Sequence, residues 1–489
     1  MKPDKKLWSN YFFILIILIV FMCFFSSSTS PLFDNCYGMD SAYYRFIGLS
    51  ILKGKTPYLD VWENKGPVFY LIQAIGALNG TRNGKISLIF PMQIFALAVS
   101  IFFLERIDFV FHVNGKRRML RFTLFIVCSL PLLALTMAGG NLTEEWSLPF
   151  ISCSLYFFAK YAGKNKSADN SLESKNFDHP RSYAFIHGIN FAMVAFIRIN
   201  NAITICAGII VIGIGLMIRK QWKNLFENFC FGLAGITVIA FPVFIWFLSK
   251  HALGEMLYVN YIYGFKYADV ISHNYLSVHD MIVRFFPMAL SCLLILIHLL
   301  KEREVRLIDF ISLAIVAANT CFFVIQSSFL HYFTIIIPVF LFVLIIYLRP
   351  ADIPGLILII AFSAFLVPDC RKMISDSFRD NQNPEFPTAK LYVPKSERNS
   401  MIAIGVQPEI YLIDGMFPCS RFAAFQLGLF YIEPKFKDEF ITSLETEKPV
   451  WIVVPRGGNL PYPDIQNIID TEYSVNFSEI HYAFYRRNN

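Results

Sequence analysis

Charged residues are scarce in this 489-residue chain. Asp, Glu, Lys and Arg make up 16% of it and hydrophobic residues 55%, whereas soluble domains carry roughly a quarter charged residues. That balance excludes an ordinary soluble globular protein. A basic face is also lacking: the formal net charge is +7, but Lys and Arg sit at the ends of apolar runs, a signal of topology and not of nucleic-acid binding. No zinc-type cysteine spacing occurs. Cys23, Cys128, Cys153, Cys206, Cys230, Cys292 and Cys321 fall within apolar runs and act there as small hydrophobes. Only Cys36, Cys370 and Cys419 lie outside them, and a Cys370 to Cys419 pairing stays open because nothing in the spacing demands it. No internal repeat is visible, which weakens an inverted-repeat transporter reading.

What the chain does contain is apolar runs of membrane length. The first, residues 11–25, follows Lys2, Lys5 and Lys6 and extends through small residues to position 29, reaching the roughly 20 residues a bilayer requires. It lacks a clear small-x-small cleavage site and reads as a retained helix. Further spans are expected at 86–104, 119–138, 145–160, 183–197, 202–218, 225–248, 283–300, 307–325, 333–348 and 352–368, about eleven in all. Basic groups mark every second loop: Arg106 with Lys116, Arg117 and Arg118; Lys160, Lys164 and Lys166; Arg219, Lys220 and Lys223; Lys301, Arg303 and Arg306; and Arg349. By the positive-inside rule the N-terminus is cytoplasmic, and an odd span count puts the tail from about 370 outside.

That tail changes character, with short apolar runs MIAIGV (401–406) and PVWIVV (449–454) and a helical-looking KDEFITSLE. The expected fold class is therefore a polytopic α-helical membrane protein over 1–369, in the plasma (inner) membrane, with a small extracytoplasmic α/β domain over 370–489. A polar insert at 162–182 reads as a flexible cytoplasmic linker, and an outer loop at 251–280 is rich in Tyr and His.

Within the first outer loop, 30–85, the stretch DSAYYRFIGLSILKGKTPYLDVWENKGP (40–67) places polar chemistry beside the bilayer. Asp40 opens a helical pattern with Tyr43, Phe46, Ile47 and Ile51 on one face and Gly54 as the stop. About 14 residues long, this amphipathic helix suits the interface plane. Pro67 then opens a second helix whose apolar run, ending at Leu78, is too short to span. Asp60, Glu63 and Lys65 lie between the two helices and are expected around one membrane-facing pocket. Bland uses exist for each: Asp40 as an N-cap, the others as solvated loop charges.

Arg198 in FIRINNA ends a span on the outer side, where it either snorkels or binds a phosphate with Asn200 or Asn201. His331 and Tyr332 in SSFLHYFTIIIP sit on the same expected face, as interfacial belt residues or ligands. Tyr263, Lys266, Tyr267, His273 and His279 are candidates to cover a bound lipid or acceptor. In NLTEEW, Thr143 reads as an N-cap with Glu144 and Glu145 favourably placed against the helix dipole. No His and carboxylate cluster is clear, so no metal is assigned.

An early first-loop Asp, a juxtamembrane helix, the segment PYxDxWExKGP and a second short helix together resemble the integral-membrane GT-C glycosyltransferases. The likeness is to the protein-mannosyltransferase and aminoarabinose-transferase branch (glycosyltransferase family 39-like), whose E-K-P-P segment is here spread over Glu63, Asn64, Lys65, Gly66 and Pro67. It covers most of the chain in topology and only this loop in motif, with the H-Y-F at His331 a weaker echo. The resemblance implies transfer of a sugar from a polyprenyl-phosphate donor to a glycan, lipid or protein acceptor of the cell envelope, by an inverting-type displacement on the outer face. Asp40 is then the general base and Lys65 contacts the carrier phosphate, while Asp60, Glu63, Arg198, His331 and Tyr332 complete the substrate-binding candidates. Most members carry a second acidic residue beside the first, where this chain has Ser41. No cofactor is assigned, and a divalent cation stays open.

The chemistry suits these residue types. A sugar hydroxyl needs a carboxylate to take its proton as the bond to the anomeric carbon forms. A leaving phosphate needs cations and donors, not an acid. An oligosaccharide ligase or polymerase using a diphosphate carrier would show more outer-loop arginines, and a flippase or transporter would show charges in mid-span.

Overall fold

The computed structural model describes residues 5–80, 87–112, 118–164, 178–264, 266, 276–302, 305–325, 329–349, 352–383, 389–406, 408–414, 416–423, 429–457, 460 and 462–488. The expected linker at 162–182 falls largely outside these residues, as do Tyr267 and His273. Two compact units form: Met1–Ser26, Pro91–Ile245 and His273–Ser375 in the first, and Ser27–Phe90, Trp246–Ser272 and Asp376–Asn489 in the second.

Helices dominate the first unit, since backbone groups in hydrocarbon must be satisfied within their own segment. In chain order the long helices are α1 (Lys5–Phe25), α4 (Ile89–Phe111), α5 (Arg118–Met137), α6 (Thr143–Lys164), α7 (Arg181–Arg198), α8 (Ile203–Ile218), α9 (Trp222–Ser249), α10 (Val278–Glu302), α11 (Leu307–Ile325), α12 (Ile336–Tyr347) and α13 (Ile353–Gln382). Every apolar run expected as a span overlaps one of them. Among the described residues, 7 stretches are long and apolar enough to cross a membrane, with Arg181–Ile218 counted as one, and Tyr11–Phe25 is a shorter apolar helix. Neither α4 nor α6 is among the 7, and both carry buried carboxylates. Those of α4 are neutralised inside the bundle: Arg118 Nη1 lies 2.7 Å from Glu105 Oε1, Arg121 pairs with Asp108, and the Tyr11 hydroxyl donates to Glu105 Oε2 at 2.9 Å. A buried carboxylate persists only with such partners. Arg118, which reads as a topological charge, is therefore also a packing element.

In the second unit, α2 (Met39–Leu52) and α3 (Pro67–Gly76) pack tightly. Gly48 permits this, because a Cβ there would stand 2.5 Å from the Gln73 carbonyl. Pro67 takes the first helical position of α3, where a missing N–H costs nothing. Four strands form one sheet in the order β1-β2-β4-β3: β1 (Met401–Ala403), β2 (Trp451–Pro455), β3 (Tyr473–Ser478) and β4 (Tyr482–Arg487). Central β2 pairs in parallel with β1 and antiparallel with β4; its first four residues are all buried, as a strand covered on both faces requires. Helix α14 (Glu409–Asp414) packs on α2, with the Phe46 ring 5.5 Å from Tyr411 and 5.6 Å from Phe417. KDEFITSLE lies in α15 (Pro434–Glu447), and α16 (Pro463–Glu472) precedes β3. Cys370 and Cys419 are both free thiols.

Candidate functional site

The PYxDxWExKGP loop is a tightly wired turn. Tyr58 adopts a positive φ of 70°, rare for a bulky residue and persisting only where its surroundings over-determine it. Here its N–H donates to Val61 O at 2.7 Å, its hydroxyl to Lys65 O at 2.6 Å, and its own carbonyl accepts from Arg421 Nη1 at 2.8 Å. Burial pushes the Tyr58 hydroxyl well above the usual tyrosine range, with Tyr261 and Glu63 adding to it. Trp62 seals the loop, meeting Tyr263 edge-on at 5.0 Å and Phe436 edge-on at 5.5 Å.

Among the expected site residues of this loop, Glu63 and Lys65 come together. Lys65 Nζ donates to Glu63 Oε1 at 2.9 Å and to Asn64 Oδ1 at 2.6 Å, and lies 5.7 Å from the centre of the Tyr44 ring. Glu63 is only 1% exposed, so its ion pair is effectively obligatory. Asp60 is used locally, its Oδ2 accepting the Thr56 N–H at 2.7 Å. Lys266 of the tyrosine-rich loop pairs with Glu433 at 2.7 Å.

Asp40 stands in the first turn of α2 and is exposed. It does not cap the helix. Gly38 holds the N-cap position at φ 66°, without a side-chain cap bond. Among the described residues no hydrogen bond or ion pair occupies the Asp40 carboxylate. Helix α14 brings Glu409 into its electrostatic reach, and burial first, then the Asp40 charge, pushes Glu409 up to about 7. Deeper in α2, Arg45 donates to Ser28 O at 2.9 Å, and burial pulls it down to about 10.

A second cluster lies in the first unit. Arg198, at the end of α7, donates to Glu144 Oε1 and stacks 4.0 Å from the Tyr332 ring centre; His331 meets Tyr332 edge-on at 4.6 Å and lies within electrostatic reach of Glu144. Arg198, His331 and Tyr332, expected separately from sequence, are thus one group. Glu144 was missed as its anchor, because its position in a first helical turn already explains an acidic residue. Its neighbour Glu145 accepts from Gln93 Nε2 at 3.0 Å and from the Asn141 N–H at 2.8 Å. Arg421 was missed as well. It pairs with Glu255 at 2.7 Å and Glu439 at 2.6 Å while holding the Tyr58 carbonyl.

Among the described residues, no group of three or more His, Cys, Asp or Glu is arranged to hold a metal ion. A cavity of about 250 Å³ between α7, α8 and α9, lined by His179, His187, Phe191 and Leu216, contains none of the expected site residues.

The sequence profile of the family described as "Putative competence-induced protein Ccs4 N-terminal domain" matches residues 2–353. The chain belongs to this family. No curated protein matches it in sequence. Two solved structures are similar over nearly the whole chain. ArnT from Cupriavidus metallidurans bound to undecaprenyl phosphate aligns at a TM-score of 0.59 with 11% identity, covering 99% of this chain and 98% of that one. The same protein in the apo state aligns at 0.59 with 10% identity, covering 97% of each. The chain shares the fold of these ArnT structures, as the first-loop resemblance implied.

Proposed function

We propose that the chain is a polyprenyl-phosphate-sugar-dependent glycosyltransferase of the plasma membrane, acting on a glycan, lipid or protein acceptor at the extracytoplasmic face. Asp40 is the general base on the acceptor hydroxyl. The observation that carries this reading is Asp40 itself: an exposed carboxylate at the start of α2, not engaged as a cap or in an ion pair with any described residue. A base needs that freedom to reach an incoming hydroxyl. The carrier is assigned as polyprenyl phosphate because a lipid of this class is bound in the similar ArnT structure.

Lys65 and Arg198 are the proposed phosphate contacts. Each is held by a buried glutamate, Glu63 or Glu144, which fixes the direction in which its charge is presented. Asp60 keeps its place through the turn it closes, Tyr332 through its ring against Arg198, and His331 through its edge-on contact with Tyr332.

Expression of the parent in cells lacking the protein is expected to clear an accumulated polyprenyl-phosphate sugar from lipid extracts. Asp40→Asn, folded and inserted, should clear less than a hundredth as fast, the scale of one lost acid–base catalyst. Full clearance by Asp40→Asn would reject the base assignment. Lys65→Ala and Arg198→Ala should raise the donor KM about tenfold or more, in line with one lost charge-assisted hydrogen bond. Donor use at the parent level would reduce both residues to structural cations.

A further inference from the structure

We propose that the cavity between α7, α8 and α9 binds one anionic phospholipid, its acyl chain inside and its phosphate on the α8–α9 turn. None of the residues assigned to sugar transfer lines this cavity, so its test is independent of the reading of Asp40. The space amounts to about 250 Å³, roomier than the roughly 150 Å³ that holds a benzene-sized guest. Its walls are preformed. Gly188 and Gly235 bring α7 and α9 backbone to backbone: a Cβ on Gly188 would overlap the Gly232 carbonyl, and one on Gly235 the carbonyl of Phe185.

Access and length select a lipid chain. The lining residues Ile209, Phe229 and Leu233 are also exposed, and on a membrane helix such side chains meet lipid tails, so the cavity is entered from the bilayer. Leu225 and Ile236 mark its ends on α9, about 16 Å apart at a helical rise of about 1.5 Å per residue. That is close to one leaflet of a roughly 30 Å hydrocarbon core.

Polar groups at one end select the head. His187 lines the cavity, is 2% exposed, and has no hydrogen-bond partner on either ring nitrogen among the described residues. A buried polar group so placed is costly until a ligand satisfies it. His179, also lining the cavity, stacks on His187 with ring centres 6.1 Å apart. Asn228 Nδ2 donates to the His179 and Asn224 carbonyls at 3.0 and 2.8 Å, so Asn228 Oδ1 accepts from His179 Nδ1 at 2.6 Å. His179 Nε2 is then an acceptor that lacks a donor. The α8–α9 turn closes this end, its Gln221 N–H donating at 2.9 Å to the carbonyl of Leu216, another lining residue. Arg219, Lys220 and Lys223 lie on it. Glu227 is already paired with Arg181 at 2.8 Å, and Lys220 and Lys223 are exposed with no ion pair among the described residues. Basic groups beside a pocket between membrane helices favour an anionic headgroup, and the positive-inside rule puts this turn at the cytoplasmic leaflet. A phosphatidylglycerol-type lipid supplies each part: a phosphate for the turn, a headgroup hydroxyl for His179 Nε2, an ester carbonyl for the His187 N–H and a chain for the cavity.

Photocrosslinking of the purified full chain tests this, with phosphatidylglycerol carrying a diazirine in one acyl chain as the probe. Its adducts should map to residues 188–191, 209–216 and 225–236, the helical stretches that line the cavity. Unlabelled phosphatidylglycerol should displace the probe about tenfold or more better than phosphatidylcholine with the same chains, given two or three basic residues at the head. Gly213→Leu places a side chain in the cavity, where the nearest atom to a new Cβ is Leu225 Cδ1 at 4.0 Å, and should abolish these adducts. Lys220→Gln and Lys223→Gln should each weaken phosphatidylglycerol binding about fivefold, the share of one basic residue near an anionic lipid. His187→Leu, which keeps the cavity apolar but removes both ring nitrogens, should also weaken it. Adducts spread evenly over the lipid-facing helices, or equal displacement by phosphatidylcholine, overturn the proposal. Displacement by polyprenyl phosphate more readily than by phosphatidylglycerol overturns it as well, making the cavity a carrier site. If Gly213→Leu does not accumulate, the adduct map of the parent and the two lysine variants decide.

Discussion

Asp40, Asp60, Glu63 and Lys65 are close neighbours in sequence divided among three different environments. Asp60 spends its carboxylate on the Thr56 N–H, Glu63 is buried against Lys65, and Asp40 faces outward. Sequence spacing shows that all four share a loop and cannot show which one keeps a usable lone pair. Glu409 adds a pH dependence of stability. Burial raises it from 4.5 to about 7 in the folded chain, so the folded state binds that proton more tightly than the unfolded state. Its contribution is complete below the ordinary carboxylate range and is lost as pH rises through about 7. Between pH 5 and 8 the parent should lose on the order of 2 kcal/mol that Glu409→Gln does not lose. Thermal unfolding of the two proteins across that range checks the sign; a steeper fall in the Gln variant would contradict it.

Helix pairs carry these residues, and their fit is set by small side chains and anchors. Gly48→Ala should force α2 away from the Gln73 backbone, since a rigid carbonyl at 2.5 Å cannot yield as a flexible side chain would. Overpacking of this kind costs about 1–3 kcal/mol. Because α2 carries Asp40, transfer should fall along with the thermal midpoint although no site residue has changed. A variant with parental activity and midpoint would show that α2 and α3 are more loosely coupled. At the PYxDxWExKGP turn, Arg421→Ala strands Glu255 and Glu439 and releases the Tyr58 carbonyl. The expected loss is about 1–2 kcal/mol, most of it from the buried Tyr58 carbonyl left without its donor, because Glu255 and Glu439 stay partly exposed, with faster proteolysis of the 54–66 loop as the local readout. Arg421→Lys should recover only part of this, lacking the planar fork that reaches two carboxylates.

For the whole molecule the governing expectation is orientation. The basic loops place residues 40–67, the loop at 251–280 and the tail after Pro368 on one outer face, and the proposed activity requires it. Single cysteines introduced into each segment of a chain lacking native cysteines should react with a membrane-impermeant thiol reagent on intact cells or spheroplasts. A cysteine near Lys166 should be protected. Labelling at Lys166 with protection of the other three would invert the topology and remove the basis for an extracytoplasmic transferase.

The sequence alone determined the helical segments, because an apolar run of membrane length has one way to satisfy its backbone in hydrocarbon. It also marked Asp40 and the Glu63–Lys65 stretch, since local patterns of helix start, turn and proline are written in adjacent residues. The tertiary structure decided who partners whom. Arg421 reaches the Tyr58 carbonyl across 363 positions, Glu144 meets Arg198 across 54, and Tyr411 of α14 packs on Phe46 of α2 from the far end of the chain. Such pairings leave no periodic trace: a charge in a helix's first turn or in a loop looks the same in sequence whether it faces water or anchors a cation. Only folding brings the low-dielectric surroundings that turn an ordinary carboxylate into a buried acid or an obligatory ion pair.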